Sequence, residues 1–154
     1  MGLEDERVER IHIAGHLHDI GKIGISDKIL KNTGKLTLLE YEMMKKHSEI
    51  GYEIIKKSEA LEDIALIVKH HHEAYDGSGY PDGLKGAQIP LESRILAIGD
   101  TIDAMTSHRL YRQKVSLKVC KAEIERCRGK QFDPVIVDAM ASLWSQWEML
   151  RQDA

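Results

Sequence analysis

The chain has 154 residues, a formal net charge of −3 and an apolar share of 42%. That length fits one domain with a core, and the mixed charge excludes a protein that holds long nucleic acid on a broad basic face. The apolar runs fall short of the ~20 residues that cross a bilayer, so we expect a soluble, cytoplasmic protein with no membrane segment.

The histidine content is the unusual feature of the composition. Eight histidines occur, and five of them lie in the segments 16–19 (His-Leu-His-Asp) and 70–73 (His-His-His-Glu). The two cysteines, Cys120 and Cys127, fall ~10 Å apart on one predicted helix, which exceeds the ~7 Å limit for a disulfide. We expect both to be thiols, and no Cys-x-x-Cys pair indicates a structural zinc site.

The first half of the chain predicts helices joined by glycine-containing turns. Apolar spacing predicts a first helix from Glu4 to about His18. Thr37 and Glu40 form a capping-box pattern that starts a second helix, expected to run to about Lys57. The predicted buried face of this second helix comprises Met43, His47, Ile50, Gly51 and Ile54.

The second half continues the helical pattern. A helix near Leu61 to His72 precedes a loop, 76–83, whose three glycines and one proline exclude a helix. The apolar run 93–107 and the segment 117–128 predict two more helices, and Asp133-Pro134 starts the last one. The predicted core of that last helix includes Ile136, Met140, Leu143, Trp144 and Trp147. We therefore predict a single all-α domain over residues 1–154.

Three histidine-bearing segments are candidates for metal binding. His18 and Asp19 end the first helix, where adjacent side chains ~100° apart bridge two ions more readily than they chelate one. The alternative is that Asp19 forms a hydrogen bond and His18 packs. His47 faces inward, and a lone inward histidine is usually a core residue with satisfied hydrogen bonds. His71 and His72 end a helix, and a run of three histidines spans too wide an arc for all of them to face one site.

Asp100 and Asp103 lie one turn apart in an otherwise apolar helix. A buried carboxylate is paired or binds a metal, since desolvation of a lone charge is costly. Structural pairing with Arg94, Arg109 or Arg112 is the alternative to metal or ligand binding.

The candidate ligands offer imidazole nitrogen and carboxylate oxygen without thiolate. That set suits iron, manganese or zinc in a hydrolytic site better than in a structural one. Two such ions polarise a phosphate and activate water near neutral pH. Lys22, Arg109 and Arg112 are candidate phosphate-binding cations, and the alternative for each is a solvated surface cation.

The ordered motifs resemble the HD-GYP branch of the HD-domain phosphohydrolases from about residue 4 to residue 140. They are 18–25 (HDIGKIGI), 46–51 (KHSEIG), 71–73 (HHE), 76–81 (DGSGYP), 83–86 (GLKG), 89–91 (IPL), 94–100 (RILAIGD), 103–107 (DAMTS), 109–112 (RLYR) and 132–134 (FDP). Each segment is weak evidence alone, while the ordered set is highly specific. The resemblance implies an all-α HD-domain helical bundle with a glycine-rich signature loop.

The resemblance also implies a function. The family hydrolyses cyclic di-GMP to the linear dinucleotide, and sometimes on to GMP, in bacterial second-messenger signalling. It implies two divalent metal ions, iron or manganese, with zinc or nickel as alternatives. The positions that match the family's metal ligands are His18, Asp19, His47, His71, His72 and Asp100.

The resemblance assigns roles to other positions as well. It implies that Asp19 bridges the metals and holds the attacking hydroxide, and that Lys22 binds or polarises the scissile phosphate. Gly79, Tyr80 and Pro81 match the signature loop, with Tyr80 beside the ligand. The remaining positions implied to contact substrate are Asp103, Arg109 and Arg112, whereas His16, His70 and His108 match no ligand and are assigned to the structure.

The chain departs from the family pattern at its start. The family carries a further helix with another histidine ligand ahead of the His-Asp pair, whereas only 17 residues precede His18. We therefore expect an N-terminally shortened domain with a weakened outer metal. Asn32 stands where the family often shows lysine, which removes a substrate-contacting cation. Cyclic di-GMP is the implied ligand, and GGDEF-type or receiver domains are the implied partners.

Two alternative functions stay open. In the first alternative, the chain is a non-catalytic module that holds metal or nucleotide and contacts partners. In the second, it is a hydrolase that acts on another nucleotide. The intact loop at 79–81 argues against the latter. We also expect a homodimer, because the shortened domain exposes an apolar patch.

Overall fold

The computed structural model describes residues 1–107 and 115–152, and within these ranges it contains helices and turns but no strand. The all-α prediction is thereby confirmed. The α-helices of the described ranges are α1 (Asp5–Leu17), α2 (Asp27–Leu30), α3 (Leu38–Lys45), α4 (His47–Ile55), α5 (Glu62–Lys69), α6 (Leu91–Thr106), α7 (Leu117–Arg126), α8 (Pro134–Ala139) and α9 (Ala141–Gln152). No helix of the described residues is long and apolar enough to cross a membrane.

Helix α6 connects two apolar clusters. The first cluster includes Ala14, Ile64, Ala65, Val68 and Leu96, where α1 and α5 pack against α6. The second includes Ile98, Cys120, Ile124, Cys127, Phe132, Ile136 and Trp144, from α6 to α9. Because residues two apart on a helix point ~200° from each other, Leu96 and Ile98 serve opposite sides of α6. The helix that carries Asp100 is therefore held by both halves of the core.

The segment 37–57 differs from the prediction. The capping box at Thr37 and Glu40 is confirmed, but the single predicted helix is divided into α3 and α4 at Lys46. Side chains compete for the last α3 carbonyls, since His47 Nδ1 donates to Met44 O and Ser48 Oγ donates to Lys45 O. The resulting turn rotates the face of the helix that is buried. Met43 and Ile54, predicted to be buried, are therefore 44% and 37% exposed. The buried residues of α4 are His47, Ser48, Gly51 and Ile55.

Two further boundaries differ. Helix α5 ends at Lys69, so His71 and His72 lie in the turn that follows rather than in the helix. The predicted last helix is two helices that meet at Met140, whose N–H is shared between Ile136 O and Val137 O as is common at helix ends. Beyond this junction Leu143, predicted to be in the core, is 39% exposed.

A 3-10 turn, Ile20–Gly24, packs directly on α4. Gly21 makes this close approach possible, because a Cβ at that position would lie 1.9 Å from His47 O and 2.5 Å from Gly51 N. No residue other than glycine fits against those backbone atoms. The contact holds the end of α1, with His18 and Asp19, beside the start of α4, with His47.

Candidate metal centre

The six predicted metal ligands come together from four parts of the fold. His18 and Asp19 follow α1, His47 opens α4, and Asp100 projects from α6. The remaining two, His71 and His72, lie in the turn after α5. The end of α1, the start of α4 and the end of α5 therefore each supply one or two of these side chains, and the middle of α6 supplies Asp100.

Short distances connect these side chains. One ligand nitrogen from each of His47, His71 and His72 lies within 4.8 Å of the other two. His18 Nε2 is 3.5 Å from Asp100 Oδ1 and 3.6 Å from Asp19 Oδ2. On the other side of Asp19, Oδ1 is 3.9 Å from His47 Nε2, so the Asp19 carboxylate lies between two of the imidazoles.

Three of the imidazoles are oriented in the same way. Each donates its Nδ1–H to the backbone carbonyl three residues earlier: His18 to Gly15 O at 2.7 Å, His47 to Met44 O at 2.8 Å and His71 to Val68 O. A carbonyl accepts but does not donate, so Nδ1 carries a proton, and in the neutral form of each ring Nε2 keeps its lone pair. Hydrogen bonds of this kind fix the tautomer and ring orientation of metal-ligating histidines.

The burial of these rings keeps most of them neutral. Desolvation lowers the pKa of His71 from 6.5 to about 4, and it also lowers the pKa of His47 and of His72. Neutral imidazole is the form that binds metals. The hydrogen bond to Asp100 instead raises the pKa of His18. Burial alone would raise the pKa of Asp100, but the hydrogen bond from His18 and the nearby histidines have the larger combined effect. The pKa of this carboxyl is therefore lowered, and Asp100 stays ionised.

The donor set fits a divalent metal ion. Among the described residues, the Nε2 atoms of His47 and His71 are buried and have no hydrogen-bond partner. A buried polar atom without a partner is destabilising unless something binds it. Two such nitrogens aimed into a cluster with carboxylate oxygens are what a nitrogen- and oxygen-ligated metal requires.

Lys22 lies beside this cluster on the 3-10 turn. Its Nζ donates to Asp19 Oδ2 at 2.6 Å, and the side chain is 39% exposed. The Asp19 side chain is 43% exposed, so this ion pair lies at the solvent-facing edge of the cluster.

The signature loop places an aromatic ring against the cluster. The ring of Tyr80 stacks on His72 with centroids 4.8 Å apart and an interplanar angle of 30°, and the backbone N–H of Tyr80 donates to His72 O. Gly79 is required here, since a Cβ would lie 2.1 Å from Ala74 N. Pro81 follows in a cis peptide bond. Burial raises the pKa of Tyr80, so its phenol is neutral and able to donate a hydrogen bond.

Glu73 anchors this loop, a role that the sequence did not reveal. Its side chain is fully buried, and its two carboxylate oxygens accept the N–H groups of Asp82 at 2.8 Å and Leu84 at 3.0 Å. The loop is thus fastened to the turn that carries His71 and His72. An acid directly before a glycine-rich loop is the sequence signal for such an anchor, but its partners are backbone atoms that a sequence does not display.

The remaining predicted site residues lie apart or outside the described ranges. Asp103 is exposed one turn beyond Asp100, and its carboxylate accepts a hydrogen bond from Ser107 Oγ at 2.6 Å. Arg109 and Arg112 lie outside the described residues. Arg94, offered above as a partner for the aspartates, instead pairs with buried Asp133.

Comparison with known proteins gives matches along nearly the whole chain. A family model described as HD domain matches residues 1–136. The cyclic di-GMP phosphodiesterase response regulator RpfG of Xanthomonas campestris pv. campestris is 45% identical over 152 residues, 97% of this chain and 40% of that protein. A cyclic di-GMP phosphodiesterase of Thermotoga maritima is 45% identical over 145 residues, 93% of this chain and 39% of that protein.

Other relatives carry a different substrate in their names. The 3'3'-cGAMP-specific phosphodiesterase 2 of Vibrio cholerae is 38% identical over 152 residues, 97% of this chain and 29% of that protein. The chain thus spans at most 40% of the length of these three curated relatives. The crystal structure of a cyclic GMP-AMP-specific phosphodiesterase of V. cholerae superposes with a TM-score of 0.71 at 18% identity, over 97% of this chain and 41% of that one, which supports the fold.

Proposed function

Because the chain belongs to the HD-domain family, in its HD-GYP branch, we propose that it is the catalytic domain of a metal-dependent cyclic di-GMP phosphodiesterase. The products are the linear dinucleotide and, by a second hydrolysis, GMP. The observation that carries the proposal is the cluster of four imidazoles and two carboxylates, in which two buried Nε2 atoms have no partner among the described residues.

We assign His18, Asp19, His47, His71, His72 and Asp100 as ligands for two divalent ions, iron or manganese, with zinc or nickel as substitutes. Bound divalent ions polarise the phosphodiester and lower the pKa of water. Asp19 lies between His18 and His47, which is the position that a bridging carboxylate needs. The three Nδ1 hydrogen bonds hold the ligand nitrogens toward this point, so little reorganisation accompanies metal binding.

The chain's other residues bind and orient the substrate. Lys22 lies beside Asp19, and its ammonium binds a phosphate oxygen and stabilises the charge that builds up there during hydrolysis. Tyr80 stacks on His72, and its neutral phenol donates a hydrogen bond to the ligand. Asp103, Arg109 and Arg112 complete the proposed substrate contacts, in the part of the chain that follows the metal ligand Asp100.

The substrate preference rests on the relatives. Cyclic di-GMP is favoured because the relatives named for it reach 45% identity, against 38% for the cGAMP-specific relative quoted above. 3'3'-cGAMP is the second candidate, since that relative matches over the same 97% of the chain. We propose that the domain works with GGDEF-type or receiver domains as a cytoplasmic signalling module, that it forms a homodimer, and that residues 1–154 belong to one domain.

Product analysis of this chain tests the proposal. The protein is loaded anaerobically with ferrous iron or manganese and incubated with cyclic di-GMP or 3'3'-cGAMP, and the products are separated by chromatography. We expect linear dinucleotide from cyclic di-GMP, lost in Asp19→Ala and retained in the matched control Asp27→Ala, whose carboxylate is exposed and pairs with Lys31. Bound metal without any product from either substrate supports the non-catalytic binding module instead.

A further inference from the structure

A second pair of histidines lies on the exposed side of α1, outside the candidate metal centre. His12 and His16 are one helical turn apart and both are exposed. Their rings meet edge to face, with centroids 4.7 Å apart and an interplanar angle of 88°. Neither side chain takes part in the hydrogen bonds or packing that build the site described above.

The spacing of the two ring nitrogens matches the needs of one metal ion. The Nε2 atoms of His12 and His16 lie 3.3 Å apart, and in the metal-free chain they share a hydrogen bond that a metal ion would replace. Two histidine nitrogens that each lie 2.0–2.1 Å from a tetrahedral zinc ion are ~3.3 Å from one another. Histidines at positions i and i+4 of a helix are a known zinc-binding arrangement for the same geometric reason.

The pair is separate from the candidate metal centre. His16 precedes His18 by two residues, so the two side chains leave the helix ~200° apart. His18 is turned inward by its hydrogen bond to Gly15 O, whereas His16 is exposed. Glu9, exposed and three residues before His12, lies on the same side of α1 and offers a carboxylate as a further ligand.

We propose that His12 and His16 form a surface site for one divalent transition-metal ion of the zinc type, with water or the Glu9 carboxylate completing its coordination. The site is independent of the proposed phosphodiesterase activity. It adds one ion to the metal content of the chain, so a metal analysis of the unaltered protein overstates the number of ions in the catalytic centre by one.

Zinc binding to the complete chain tests this site. Equilibrium dialysis against Zn²⁺, followed by elemental analysis, is performed on the unaltered chain and on His12→Ala, His16→Ala and the double variant. Because both ligands hold the same ion, we expect each single variant to lose one zinc per chain and the double variant to lose no more than that. Unchanged zinc content in all three variants overturns the proposal.

A positive control and a direct readout accompany the count. Lys121→His with Glu125→His, added to the double variant, creates a pair of the same spacing on α7, and we expect it to restore one zinc per chain. In the unaltered chain, the ¹⁵N signals of the His12 and His16 rings are followed as zinc is added. Displacement of both signals supports the site, and ring signals that stay in place refute it even if a variant misfolds.

Discussion

The loop anchor Glu73 gives the sharpest test of how the fold positions the site. Glu73→Gln keeps the size of the side chain but replaces one carboxylate oxygen with an NH₂ group. Glu73 accepts from two backbone N–H groups, those of Asp82 and Leu84. In the glutamine variant the NH₂ group faces one of these N–H groups, so that bond is lost and a donor is left without an acceptor.

The expected cost follows from those two bonds. A hydrogen bond to a charged group contributes ~1.5–3 kcal/mol, and a buried donor left unsatisfied costs ~1–3 kcal/mol. We therefore expect Glu73→Gln to lower the free energy of unfolding by ~2 kcal/mol. Asp82 is exposed and Leu84 is half-buried, so the loop has a second response to the substitution. It opens, and water then binds the N–H groups that Glu73 no longer holds. That opening draws Tyr80 away from His72.

Two measurements separate the effects. Urea denaturation gives the change in stability, and hydrogen exchange of the Asp82 and Leu84 amides reports whether the loop is still fastened. Glu62→Gln is the matched control, since Glu62 is exposed at the start of α5. If Glu73→Gln matched Glu62→Gln in stability and left the exchange of both amides unchanged, the anchoring role of Glu73 would be refuted.

Three further predictions follow from the site and its supports. First, the metal-free chain loses stability as the pH falls from 6.5 toward 4: burial lowers the pKa of His71 to about 4, so protonation favours the unfolded chain, by up to ~3 kcal/mol from this group. The raised pKa of His18 acts above pH 6.5, so its contribution to stability is already complete in this range, and a stability curve of the metal-free chain that is flat from pH 6.5 to 4 contradicts the prediction. Second, Gly21→Ala lowers the free energy of unfolding, measured by urea denaturation, by more than the ~1–3 kcal/mol of ordinary overpacking, because its Cβ meets backbone atoms of α4. Gly99→Ala, with open space at the Cβ, is the control and is neutral or stabilising. Third, Lys22→Ala lowers kcat/KM for cyclic di-GMP by at least ~100-fold while Lys31→Ala, an exposed cation, leaves it unchanged, and equal rates exclude a role for Lys22 in catalysis.

The sequence predicted the helices better than their ends. Apolar spacing found α1, α5, α6 and α7 because each buries a regular stripe, and capping residues found the starts of α3 and α8. The breaks at Lys46 and after Lys69 were missed, since they depend on side chains that compete with the backbone for carbonyl oxygens. A pattern of apolar residues carries no information on that competition.

The site was predictable to a different degree. The ordered motifs identified the six side chains that come together, although no single motif was persuasive alone. The anchoring by Glu73 was not predictable, because its partners are backbone N–H groups nine and eleven residues away. The pairing of Arg94 with Asp133, 39 residues away, was likewise beyond local pattern.

The breaks and the metal ligands have one physical cause. A helix leaves its last carbonyls without intrahelical partners. At the ends of α1, α3 and α5, a histidine donates its Nδ1–H to such a carbonyl, three residues back. The same bond completes the helix end and turns Nε2 toward the centre of the cluster. Replacement of His18, His47 or His71 therefore removes a helix cap together with a proposed metal ligand, so loss of metal binding and loss of stability accompany each other at these three positions. His72 has no such bond to an earlier carbonyl among the described contacts, and its replacement affects the cluster without removing a cap.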